Sequence, residues 1–114
     1  MKTCNGGQTI ERKNSAHCFV TEFPIADHDI NFAIVKVSSR YPDSGYATNT
    51  ISKEIVYVQE GGGKVVVGNV GFALIPGDAV LISPNEKYYF DGDMTLHISC
   101  TPAFRPEQHI HIDE

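Results

Sequence analysis

The chain has 114 residues, 41% of them hydrophobic and 20% charged, a composition that fits a folded domain and excludes a disordered tail. Its net charge of −5 and nine scattered Lys and Arg residues, with no cluster longer than Arg12-Lys13, exclude the basic face a nucleic-acid partner needs. No apolar run approaches the length that crosses a bilayer, so a membrane-spanning helix is excluded too.

The elements follow in chain order. Residues 1–14 are polar and glycine-containing, and read as an N-terminal arm or edge strand. A first β-type run covers His17 to Thr21, and a second covers Ile30 to Ser38, followed by a corner at Arg40, Tyr41 and Pro42. Glu54 to Gln59 is the third run, with Glu54, Val56 and Val58 on one face and Ile55, Tyr57 and Gln59 on the other. Gly61, Gly62 and Gly63 are expected to turn the chain before Lys64 to Val67 returns. Gly68-Asn69 marks a tight reversal into Phe72 to Ile75. Turns at Pro76-Gly77-Asp78 and Ser83 to Glu86 bracket the run Ala79 to Ile82. Lys87 to Phe90, with Tyr88 and Phe90 on one face, leads to an expected turn at Asp91-Gly92-Asp93. Met94 to Cys100 follows, and residues 103–114 form a tail or edge strand. No segment keeps a helical period. Short strands separated by turns predict one all-β domain over 1–114, a sandwich or a closed barrel.

Three cysteines at wide spacing, with no C-x-x-C, fit a reducing cytoplasm better than a disulfide scaffold or a structural zinc site. The N-terminus lacks the apolar segment of a secretion signal. The expectation is a soluble cytoplasmic protein.

Two stretches carry a resemblance. In "EIVYVQEGGGKVVVGN", Glu54 is followed after six positions by Gly61, as in the second half of the first cupin motif. "GDAVLISPNEKYYF", Gly77 to Phe90, resembles the second cupin motif: a Gly-Asp turn, an apolar strand, a Pro-containing turn, then an inward residue. The matching core runs from about residue 40 to 100. The resemblance implies a single-domain cupin, a double-stranded β-helix or jelly-roll barrel. Cupins commonly pair through edge strands, so it also implies a homodimer.

The metal half of that pattern is missing. The positions of the family's His-x-His fall on Thr48 and Thr50 by one spacing and on Ala47 and Asn49 by the other, and the third His falls on Tyr88. One carboxylate with hydroxyls is a poor set for a divalent transition metal, which relies on imidazoles. No cofactor and no standard metal site are expected. An alternative draws substitute ligands from Glu54, His109 and His111, because "PEQHIHIDE" is the stretch with metal-ligand character.

What remains is a barrel mouth suited to hydrogen-bonding a small molecule. Glu54 and Tyr88 are the candidate catalytic pair, since a carboxylate turned into a barrel has its pKa raised by desolvation. Pairing of Glu54 with a rim cation is the structural alternative. Arg40, Thr48, Asn49, Thr50 and Cys100 are the candidate ligand-binding residues, Arg40 as a clamp for an anion. The expected ligand is small and polar or anionic, and sugar-like in one version. Metal-independent acid–base chemistry (isomerisation, epimerisation or elimination) and plain ligand binding or sensing both remain open.

Overall fold

The computed structural model describes residues 1–113 as nine strands and two short 3-10 segments, Gly6–Gln8 and Pro106–Gln108. The strands are β1 (Ile10–Ser15), β2 (Cys18–Phe23), β3 (Asn31–Val37), β4 (Tyr46–Asn49), β5 (Lys53–Val67), β6 (Val70–Leu74), β7 (Ala79–Ile82), β8 (Tyr88–Thr101) and β9 (His109–Ile112). All neighbouring strands are antiparallel.

Two long strands organise the rest. β5 and β8 pair along almost their whole lengths, from Lys53 against Thr101 to Val67 against Tyr88. The early half of β5 also carries β7, and the late half of β8 carries β3, which leads outward to β2 and β1. The late half of β5 carries β6, and the start of β8 meets β4, which carries β9. One continuous ladder thus forms both layers of a jelly roll, and the β5–β8 pair bends between them.

That bend corrects two sequence expectations. Gly61 to Gly63 and Asp91 to Asp93 do not reverse the chain; they lie inside β5 and β8, opposite one another. A register shift falls between Val58 and Glu60, and Gly61 and Gly92 adopt φ values of +83° and +142°. Added Cβ atoms at Gly61 and Gly63 would run into the carbonyl oxygens of Asp93 and Asp91. Glycine is needed here for close backbone approach and local bending, a bulge rather than a hairpin.

The other turn signals form as expected. Val67 pairs with Val70 across Gly68-Asn69, with a positive φ at Gly68, as a two-residue type II′ hairpin requires. At Pro76-Gly77, Gly77 has φ +96°, and the Asp78 N–H donates to the Ile75 carbonyl. This is a type II turn with proline and glycine in their preferred positions.

The inward faces alternate as read. Val56, Val58, Val65, Leu74, Met94 and Leu96 are buried and fill one end of the barrel. Glu54 starts the same β5 face that continues into Val56 and Val58, so it sits where this packing stops. No helix among the described residues is long and apolar enough to cross a membrane.

Candidate functional site

The unfilled end of the barrel holds a cavity of about 300 Å³. Its walls are largely apolar, with Val20, Val35, Val37, Phe90, Ile98 and Phe104 among them. The polar lining includes Glu54 from β5, Asn49 from β4, Tyr88 and Cys100 from β8, Tyr41 from the corner before β4, and His109 from β9. Arg12 and Glu22, both partly exposed, mark the open side and form an ion pair at 2.7 Å.

Glu54 is 6% exposed. Its Oε2 accepts from Asn49 Nδ2 at 3.4 Å and from the Cys100 thiol at 3.5 Å, while Oε1 has no hydrogen-bond partner. No lysine or arginine pairs with it among the described residues, so the rim-cation alternative does not apply. Burial pushes its pKa up to about 7, with the Cys100 hydrogen bond pulling weakly the other way.

Asn49 joins two parts of the site. Its Oδ1 lies 2.8 Å from His109 Nδ1, and the Nε2 of the same ring lies 2.8 Å from the Tyr41 hydroxyl. An amide oxygen only accepts, so Nδ1 carries the ring proton and Nε2 accepts from Tyr41. The chain of bonds therefore runs Tyr41–His109–Asn49–Glu54. Burial lowers the pKa of His109, keeping the ring neutral, and raises that of Tyr41 to about 12. Tyr88, buried beside Phe90, is pushed well above its usual value, first by burial and then by the Glu54 carboxylate. It is therefore a hydrogen-bond donor, and its hydroxyl has no partner among the described residues. Burial also raises the Cys100 and Cys18 thiols, the latter to about 12, so both stay protonated and inert.

The candidate residues divide sharply. Glu54, Tyr88, Asn49 and Cys100 line the cavity; Arg40, Thr48 and Thr50 do not. Arg40, expected as an anion clamp, donates to the carbonyls of Pro42 and Gly45 and lies 3.9 Å above the Tyr89 ring. Its guanidinium holds the corner together. Thr48 turns away from Ala47 and Asn49 by strand alternation and donates to the Glu86 carbonyl, and the Thr50 N–H bonds to the Gln108 carbonyl. His109 and His111 also part company. His111 lies further along β9, with Nε2 on the Ser44 carbonyl and Nδ1 near Asp113. The substitute ligand set Glu54, His109 and His111 therefore does not converge.

A cupin-type metal does not fit the donors present. Both His109 nitrogens are already engaged, Cys100 holds its proton, and no three His, Cys, Asp or Glu side chains among the described residues form a metal-holding group.

The site depends on the segment that brings His109 to it. Gln108, buried just before β9, accepts from the N–H groups of Ile51 and Ser52 and donates to the Ser52 hydroxyl. Ser52 in turn donates to the Pro102 carbonyl. Gln108→Ala would strand two backbone donors and is expected to cost about 2 kcal/mol in urea unfolding. Phe104 and His109 should lose hydrogen-exchange protection first.

No protein-family profile matches the chain, and no curated protein matches it. Solved structures do match. Streptomyces Pac13, described as a unique nucleoside dehydratase, aligns with a TM-score of 0.87 at 18% identity, over 97% of this chain and 90% of its own. Variants of Pac13 have been solved with uridine. An RmlC-like cupin from Shewanella frigidimarina NCIMB 400 matches at TM-score 0.73 and 18% identity, covering 93% of this chain and 96% of its own. The chain has the cupin fold. KdgF from Halomonas sp. matches this chain at TM-score 0.71 and 15% identity, over 91% and 96% of the two chains.

Two members of the cavity carry no sequence signal of their place in it. Tyr41 was placed only at a corner, and His109 was considered only as a metal ligand. A tyrosine before a proline carries no signal of where its hydroxyl points. The pairing of β9 with β4, which sets His109 against Asn49, joins residues 60 positions apart.

Proposed function

We propose that the cavity binds a small, neutral, hydroxylated molecule of nucleoside-like or sugar-like kind and performs metal-independent acid–base chemistry on it, of the elimination type. The observation that carries this reading is Glu54: a buried carboxyl on a cavity wall, one oxygen without a partner, titrating near neutrality. A general acid or base works best when its pKa lies near the working pH. The Tyr88 hydroxyl, fixed as a donor, would hold a ligand oxygen in the same cavity.

Neutral ligands are favoured over anionic ones. Arg12 is the cation in the lining, and it is already paired with Glu22, so no unpaired cation in the lining awaits an anion. The cavity lies at the small end of the range for small-molecule sites, roughly 300–1,000 Å³. The structural likeness to a nucleoside dehydratase agrees with this class of ligand and reaction. A homodimer formed through edge strands and a cytoplasmic location belong to the same proposal.

A thermal-shift panel of uridine, other nucleosides, free monosaccharides and their phosphate esters tests the ligand class. A ligand at 100 times its Kd should stabilise by about 2.7 kcal/mol, raising Tm by about 10 °C. Shifts from uncharged members support the reading; shifts confined to the phosphate esters would overturn it. Binding with no chemical change in the bound ligand would identify a binding module instead.

A further inference from the structure

We propose that Tyr41 and His109 are the second proton-handling pair of this cavity, the base that works against the Glu54 acid, with Asn49 as the positioning residue between them. The inference rests on the acid–base reading of the cavity given above.

Nδ1–H of His109 donates to Asn49 Oδ1, leaving Nε2 to accept the Tyr41 proton at 2.8 Å. Such a pair can take a proton at the Tyr41 oxygen while passing the phenolic proton to the ring. At the far end, Glu54 Oε2 already accepts from Asn49 and Cys100. An acid proton on Glu54 therefore belongs on the unpartnered Oε1, where it can be donated. The remaining titratable side chains of the lining are Cys18 and Glu22 on β2, Arg12 on β1, and Tyr88 and Cys100 on β8. Arg12 and Glu22 neutralise one another at the open side, and burial keeps the two thiols and Tyr88 protonated. Glu54 and the Tyr41–His109 pair are left as the groups free to exchange protons. Their environments invert the usual order in the sense that assigns acid and base: burial holds the proton on the carboxyl up to about pH 7 and disfavours the charged form of the imidazole.

This arrangement suits loss of water from a ligand with a hydroxyl β to a carbonyl. The proton on the carbon next to the carbonyl moves to the Tyr41 oxygen as the phenolic proton moves to His109 Nε2. The released C–H pair forms the new double bond. The C–O bond breaks with its electron pair, and the departing oxygen takes the Glu54 Oε1 proton and leaves as water. The chain then holds an imidazolium and a carboxylate joined through one amide, with no net charge added to the cavity. Asn49 is oriented for that state in advance, donating to the carboxylate and accepting from the imidazolium.

The test uses the full-length protein with 15N-labelled histidine. At pH 7, His109 should be neutral with its proton on Nδ1. Asn49→Ala should move that proton onto Nε2, and Tyr41→Phe should shift the Nε2 resonance while leaving the far-UV spectrum unchanged. Adding uridine should perturb Nε2. With any ligand that the cavity converts, His109→Gln and Tyr41→Phe should each lower kcat by about 100-fold or more, with KM altered far less. An Nε2-protonated or cationic His109 at pH 7, or one indifferent to Asn49→Ala, overturns the proposal. So does uridine binding that leaves Nε2 unmoved. Failure of uridine to bind would count against the reading of the cavity, and the tautomer would still decide the pair.

Discussion

Glu54→Gln is expected to remove the loss of stability that Glu54 imposes as pH rises, while also removing the cavity's acid. The unfolded carboxyl titrates near 4.5 and the folded one near 7, so between those values the folded chain keeps a proton that the unfolded chain has lost. Stability contributed by the protonated group is complete below about pH 4.5 and is lost as pH rises through 7. Above pH 8 the loss amounts to about 3 kcal/mol, because each pKa unit is worth about 1.4 kcal/mol. Glutamine carries no such penalty. Urea unfolding at pH 4 and pH 8 should show the difference between variant and wild type moving by about 3 kcal/mol in the variant's favour. Turnover of any converted ligand should fall by about 100-fold or more. A variant whose stability follows the wild-type pH profile would mean that Glu54 is not desolvated.

Gly61→Ala should be among the most damaging single methyl groups that can be added to the described residues. Gly61 combines a φ of +83°, which L-residues rarely adopt, with a carbonyl of Asp93 occupying the space a Cβ needs. Both penalties fall on the bend that lets β5 and β8 serve two layers, and neither neighbour is a flexible side-chain tip. Destabilisation of about 3 kcal/mol or more is expected, at the upper end for single substitutions. Gly71→Ala, on β6, provides the control. Its Cβ would meet only a Val66 methyl at ordinary contact distance, so chemical denaturation should show a much smaller change.

The contrast between glycines also shows what the sequence could and could not reveal. Alternation along β5 and β8 is a local property, and it correctly placed Glu54, Val56 and Val58 on one buried face and Tyr88 and Phe90 on another. Turn chemistry at Gly68-Asn69 and Pro76-Gly77 is equally local and was equally legible. Glycine at 61–63 and 92 was misread because a glycine that turns a chain and one that admits a close backbone leave the same letter. The difference lies in the partner strand. The site divided in the same way. Glu54 and Tyr88 came from motif positions, and Asn49 from the spacing of a lost histidine. Tyr41 and His109 come together through the pairing of β9 with β4, while Arg40 and Thr48 are drawn off by carbonyls that no sequence pattern announces.

The most direct measurement concerns the Glu54 carboxyl itself. Protein with 13C-labelled glutamate side chains, the Glu54 signal being assigned by its absence in Glu54→Gln, can be titrated by NMR with and without uridine. A midpoint near 7 is expected, with a displacement of that midpoint when the cavity is filled. A Glu54 resonance that titrates near 4.5, unmoved by any cavity ligand, would contradict it.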